Sequence, residues 1–173
     1  MELYTSKITF DSDLLLKEIK SQYDTSSISE HTPTVTMHNL DRNYQLPKLK
    51  QFNELVLPIF DGLEIDNIFL FFAHPSGKLD WHKDGGHEYR RFIFPIVSNE
   101  NCINWFKIDE VEYSIRFEDG KIHWFDSQRI EHNVINTGNT IRVAYLLDMK
   151  WDSVNMKGVL ENNFDIHNLF IQS

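Results

Sequence analysis

The 173-residue chain is the size of one ordinary domain, and 41% hydrophobic with 13% aromatic content is enough for a substantial core. A formal net charge of −9 argues against a nucleic-acid partner, because phosphate-backbone binding depends on Lys/Arg patches. Cys102 is the only cysteine, which excludes an intrachain disulfide framework and any thiolate-rich zinc or iron–sulfur site, so a metal would have to be held by His and carboxylate.

The N-terminus, MELYTSKITF, carries Glu2 and lacks a basic region followed by an apolar one, so it does not read as a secretory signal. The longest apolar run, Ile68 to Ala73, is far short of the roughly 20 residues of a membrane span. The expectation is a cytoplasmic protein with no membrane partner. DSDLLLKEIKSQY (11–23) has cap-type residues at its start and Leu14, Leu15 and Ile19 on one side, the pattern of an amphipathic helix. After a Ser/Thr-rich stretch (24–36), LPKLKQFNELVLPIF places Pro47 at a first helical position and Leu49, Phe52, Val56 and Phe60 at helical spacing. This second helix is expected to kink or end near Pro58.

From Asp66 onward the chain turns to short β-type runs: NIFLFFA, YRRFIFPIV, CINWFKI, EVEYSIRF, KIHWFD, HNVIN and TIRVAYLLDM. Asp119-Gly120 is the clearest hairpin signal, Thr137-Gly138-Asn139 reads as a second tight connection, and the acidic stretch 109–119 reads as a solvated hairpin. The tail from Trp151 has no strong period and suits a short helix or a flap. The expected fold is mainly β with N-terminal helices, a double-stranded β-helix of the jelly-roll, cupin-like kind. It would form a single domain, 1–173, with a helical N-terminal layer (1–65), a β core (66–152) and a C-terminal tail or flap (153–173).

Chemistry concentrates in two stretches. In LDWHKDGGHEYRRFIFPI (79–96), residues i and i+2 of an extended strand point to one side, so His82 and Asp84 can present an imidazole and a carboxylate to one point. Alone, this H-x-D pair is more often a solvated turn than a metal site. EHNVINTGNTIRVAYLLD adds His132 and, ten residues later, Arg142; a turn at 137–139 would fold the two strands into a hairpin with these residues side by side. Two His and one carboxylate with open positions form the facial triad of non-haem Fe(II) sites. Such a site leaves room for a bidentate 2-oxo acid and O2, and an Arg fork suits the far carboxylate of that acid.

At these residues the sequence resembles the Fe(II)/2-oxoglutarate-dependent oxygenases, in the aspartyl/asparaginyl β-hydroxylase-like branch that includes cis-3-proline hydroxylases. The resemblance covers about residues 66–152 and rests on HPSGKLDWHKD, YRRFIFPI, GKIHWFDSQRIEHNVIN and GNTIRVAYLLDMKW. It implies that His82, Asp84 and His132 hold Fe(II), that Arg142 takes the distal carboxylate of 2-oxoglutarate, and that Arg91 assists with this co-substrate, with Arg90 a close rival. It further implies hydroxylation of a free amino acid, proline-like, or of a peptidyl Asp, Asn or Pro side chain, with O2 consumed and succinate and CO2 released. The chain departs from the family in places. It has Phe71-Phe72 where some relatives place a co-substrate Ser, and Ala144 where other branches carry Ser. Asp84 points to the proline-hydroxylase-like members and to hydroxylation over halogenation.

Arg129, three residues before His132, is a candidate for a substrate carboxylate, as is Arg90, and His87 and His74 could line the entrance. Trp81 and Trp124 could wall the pocket, and His123 reads as structural. Two other readings compete. A noncatalytic cupin-like small-molecule or metal-binding module would not need the set His82, Asp84, His132 and Arg142, and a zinc hydrolase with the same ligands would give Arg142 no task.

Overall fold

The computed structural model describes residues 1–21, 35–39, 49–85 and 89–168, with 35–39 as backbone. Among these residues eleven strands form two facing sheets: β1 (Glu2–Ser6), β2 (Val35–Asn39), β3 (Ile65–Ala73), β4 (Lys78–His82), β5 (Tyr89–Val97), β6 (Cys102–Ile108), β7 (Val111–Ile115), β8 (His123–Trp124), β9 (Glu131–Asn136), β10 (Arg142–Lys150) and β11 (Phe164–Asn168). The larger sheet has the order β11-β1-β8-β5-β10-β3-β2 and the smaller β4-β9-β6-β7, with every pairing antiparallel. This is the expected jelly roll. The layer read as helical over 1–65 also contributes β1 and β2 to the larger sheet, and the tail folds as helix α2 (Ser153–Asn163) followed by β11, which pairs with β1.

Strand β10 is buried along almost its whole length because both of its faces are covered. Val143, Tyr145, Leu147 and Met149 face a helical layer, while Ala144 and Leu146 face the smaller sheet. The same alternation puts Phe92, Phe94 and Ile96 of β5 on the helical side and Ile93 on the inner side. Helix α1 (Ser12–Lys20), capped by the Asp11 carboxylate accepting from Leu14 N–H at 2.9 Å, packs Leu15 and Ile19 into the helical-side core. The segment expected as a second helix is a π-helical turn (Phe52–Val56) running into a 3-10 turn (Leu57–Phe60) at Pro58; its start at Pro47 lies outside the described residues. Its Phe52 ring packs on Tyr145 at 5.2 Å.

Two expected hairpins are instead crossings between sheets. β7 belongs to the smaller sheet and β8 to the larger, so Asp119-Gly120 joins layers. The turn is pinned by Phe10 N–H donating to Gly120 O (2.8 Å) and Gly120 N–H donating to Pro95 O (3.1 Å). Gly120 has φ +78°, and a Cβ there would meet Phe10 O at 2.8 Å. The hairpin within the acidic stretch turns earlier, at Asp109-Glu110, both with left-handed φ (48° and 63°), as strand twist prefers. Likewise the 137–139 turn carries the chain from β9 in one sheet to β10 in the other. Buried Asn136 holds it, donating to Ala73 O (2.8 Å) and Thr140 O (2.9 Å). His132 and Arg142 are therefore not hairpin neighbours; they come from opposite sheets.

His123 is structural, as its strand position suggested. It is buried, stacks on Phe117 at 4.5 Å, and has its two ring nitrogens 3.2 Å from Thr5 Oγ1 and Glu118 O. Burial lowers its pKa to about 4, with the nearby Arg142 charge adding to the effect and the Glu118 carbonyl opposing it. The unfolded chain takes up this proton near pH 6.5 and the folded chain refuses it until about pH 4, so the stability it contributes is complete above 6.5 and is lost as pH falls toward 4. The loss amounts to about 3 kcal/mol at pH 4. Urea unfolding at pH 7 and 4.5 should show a pH-dependent loss that is clearly smaller in His123→Gln; equal losses in the two proteins would refute the assignment.

Candidate active site

The inner faces of the two sheets enclose a cavity of about 260 Å³ lined largely by apolar side chains, among them Phe71, Ile93, Val134 and Leu146. His82, Asp84 and His132 stand on its wall, with one potential ligand atom from each lying within 4.8 Å of the others. His82 closes β4 and is the cross-strand partner of His132 on β9; their ring centroids are 4.3 Å apart. The pairing slips by one residue between Leu79 and His82. This bulge lets Leu79 and His82, which strict alternation would send to opposite faces, both line the cavity.

Asp84 reaches the site by a different route from the strand geometry expected of H-x-D. β4 ends at His82, and Asp84 lies in the following bend, where its N–H donates to Ser127 O at 2.9 Å. Both imidazoles are oriented by the backbone: Nδ1 of His82 lies 2.7 Å from Asp80 O and Nδ1 of His132 lies 3.0 Å from Ile130 O. With Nδ1–H donating, each Nε2 lone pair is left for the cavity; that of His82 is 3.8 Å from the Asp84 carboxylate. Burial lowers the pKa of His132, partly opposed by its Ile130 hydrogen bond and by the Asp84 charge, and this net lowering favours the neutral form a metal requires.

Arg142 and Asp148 mark the two ends of the inner face of β10, six residues and about 20 Å of strand apart. Arg142 is buried, donates from Nη1 to Asn104 Oδ1 (3.0 Å), approaches Cys102 Sγ (3.8 Å), and has its guanidinium 5.9 Å from the Phe71 and Phe117 ring centroids. Its Nε has no partner, and no carboxylate pairs with it among the described residues. Asn104 and Phe71, its neighbours, line the cavity.

Parity decides between the two other arginines. Arg91 shares the inner face of β5 with Ile93 and lines the cavity. Its Nε and Nη2 donate to the two oxygens of Asp148 (2.8 and 2.9 Å) and its Nη1 to Asp84 Oδ1 (3.1 Å). Burial works against this charge, but the two carboxylates outweigh it and raise the Arg91 pKa. Arg90 points the other way, stacking on Trp151 at 4.0 Å and donating to Gln128 Oε1 and Tyr89 O. Neither it nor Arg129, whose exposed side chain pairs with Asp126 at 3.5 Å, lines the cavity. His87 lies outside the described residues. Trp124 belongs to the helical-side core, packed on Tyr4, and Trp81 lies under the Lys107 ammonium at 4.8 Å.

Two site residues escaped the sequence reading. Asp148 and Asn104 each sit in an otherwise apolar strand run, LLDM and CINWF, and a polar side chain in such a run must find a buried partner.

No curated protein matches the chain by sequence. Among solved structures it is similar to the viral collagen prolyl hydroxylase vCPH from Paramecium bursaria Chlorella virus-1, a 2OG complex, at 7% identity and TM-score 0.63 over 87% of this chain and 96% of that one. AviO1 from Streptomyces viridochromogenes Tue57 is similar at 10% identity and TM-score 0.61, over 88% and 91%. A Pseudomonas putida prolyl-4-hydroxylase follows at 14% identity and TM-score 0.57, over 87% and 93%. At such identities the likeness is one of fold. Residues 27–151 match the sequence model of the aspartyl/asparaginyl β-hydroxylases, and on that match this chain belongs to the aspartyl/asparaginyl β-hydroxylase family of Fe(II)/2-oxoglutarate-dependent oxygenases.

Proposed function

We propose that the chain hydroxylates a C–H bond of a free amino acid or of a peptidyl side chain, with Fe(II) held by His82, Asp84 and His132 and the distal carboxylate of 2-oxoglutarate held by Arg142. The observation that carries this reading is a two-His, one-carboxylate cluster on the wall of the cavity together with a buried guanidinium, paired with no carboxylate among the described residues, that lies behind the cavity-lining Asn104 and Phe71. The donor set fits the metal: two imidazoles with oriented Nε2 atoms and one carboxylate form the facial triad, leaving positions open. When bound, Fe(II) and 2-oxoglutarate supply oxidative decarboxylation coupled to O2 activation, giving succinate, CO2 and a hydroxylated substrate.

The protein's part is placement and exclusion. The backbone carbonyls of Asp80 and Ile130 hold the imidazoles in one tautomer, and Asn104 fixes the Arg142 fork by one hydrogen bond while leaving its other donors for a carboxylate. The apolar wall between these ends, including Ala144 and Leu146 of β10, suits the methylenes of a dicarboxylate and keeps water from the reacting atoms. A noncatalytic module would have no reason to keep the Arg142 charge buried.

Anaerobic addition of Fe(II) and then 2-oxoglutarate is expected to produce a visible metal-to-ligand charge-transfer band, weakened through metal loss in Asp84→Ala. Absence of the band in the wild-type protein would refute the reading. Succinate release across free amino acids and short peptides then identifies the substrate class.

A further inference from the structure

We propose that Arg91 and Asp148 form a clamp that positions Asp84 for the metal, so that Arg91 serves the metal ligand and not the co-substrate. The proposal rests on the metal-site reading above and adds a role for a residue pair. Asp84 lies past the end of β4 and has no ladder of its own; one backbone hydrogen bond to Ser127 O and one side-chain hydrogen bond from Arg91 Nη1 fix it. Arg91, by contrast, sits in the middle of the larger sheet with Asp148 as its register partner on β10. The bidentate contact to Asp148, at 2.8 and 2.9 Å, locks one edge of the guanidinium plane and leaves Nη1 aimed at Asp84. Asp148 is 1% exposed and the Arg91 side chain 14%, so this orientation is set by a buried carboxylate and a largely covered guanidinium on adjacent strands.

Charge explains why a second carboxylate is needed. A lone guanidinium against Asp84 would hold the ligand in place but repel a dication bound to it. Asp148 neutralises the Arg91 charge locally, so the fork can orient Asp84 without opposing the metal. Three Arg91 donors are committed to the two carboxylates, which gives the residue a structural task that a co-substrate contact does not explain.

The test is Co(II) titration followed by its visible absorption, with 2-oxoglutarate affinity measured separately on the Co(II)-saturated protein and His132→Ala as control. Asp148→Asn keeps the shape but leaves the Arg91 charge uncompensated. Arg91→Met with Asp148→Leu removes both charges together, a replacement that buried ion pairs commonly tolerate, and so carries the test if Asp148→Asn does not fold. Both variants are expected to bind Co(II) about tenfold or more weakly, the usual size of such effects behind a ligand, while the 2-oxoglutarate requirement changes less than about twofold. Co(II) affinity unchanged in both variants, or a tenfold higher 2-oxoglutarate requirement at unchanged metal affinity in the double variant, overturns the clamp. A wild-type protein that binds no Co(II), or binds it no better than His132→Ala, overturns the metal-site reading and the clamp with it.

Discussion

Arg142→Met is expected to stabilise the ligand-free chain while raising its 2-oxoglutarate requirement by about 10²- to 10³-fold. Arg142 is 2% exposed, and among the described residues its contacts are one amide oxygen, one thiol and two aromatic faces. None of these carries a negative charge, so the free protein bears the cost of a desolvated guanidinium that a carboxylate would offset. Met has similar reach without charge, and removing the penalty should add about 2 kcal/mol, or roughly 4–8 °C in thermal midpoint for a chain of this size. The same change deletes the counter-ion of the proposed co-substrate, and loss of one partner from a buried charge pair costs about 2–5 kcal/mol, roughly 30- to 5,000-fold, a range that brackets the fold-change above. A variant that loses stability and keeps its 2-oxoglutarate affinity would make Arg142 a core strut. Asn104→Asp offers an independent check: a carboxylate placed where the amide oxygen lies 3.0 Å from Nη1 should occupy the guanidinium and exclude the co-substrate.

How far the residues alone lead is clear from the same part of the molecule. Alternation along β10 and β5 marks which side chains share a face, and the strand runs emerge near their observed places because period-2 burial is local information. Which sheet a strand joins is not local. The Asp119-Gly120 and 137–139 turns have hairpin composition, but the Phe10, Pro95 and Asn136 contacts that send each into the opposite sheet come from residues up to about a hundred positions away. The bulge before His82 breaks alternation at the point where the His82, Asp84 and His132 side chains gather, so H-x-D converges through a slipped pairing and the irregular segment after β4. Arg90 and Arg91 could not be separated from sequence because the turn after Asp84 leaves the phase of β5 open. Once Phe92 and Phe94 are seen on the helical side, only Arg91 can reach the cavity.

Metal should stabilise the wild-type chain by an amount fixed by mass action, about 2.7 kcal/mol at a hundredfold excess over the dissociation constant, and His132→Gln should abolish that gain. The three proposed ligands converge from the end of β4, the segment after it and β9, elements that separate on unfolding, so a metal held by them would bind the folded chain and its binding energy would become folding energy. Removing His132 leaves two ligands and should weaken binding more than the tenfold to hundredfold typical of partners behind a ligand. The ring also packs edge-on against Phe125 at 4.9 Å, so the substitution changes the metal-free stability by itself. The informative quantity is therefore the metal-dependent shift in each protein, not the difference between their midpoints. Burial lowers the His132 pKa from its ordinary value, which favours the neutral imidazole that a metal takes. Co(II) or Mn(II) in place of Fe(II) avoids oxidation during the melt. An equal shift in His132→Gln would mean that the ion binds elsewhere, and the facial-triad assignment would fall with it.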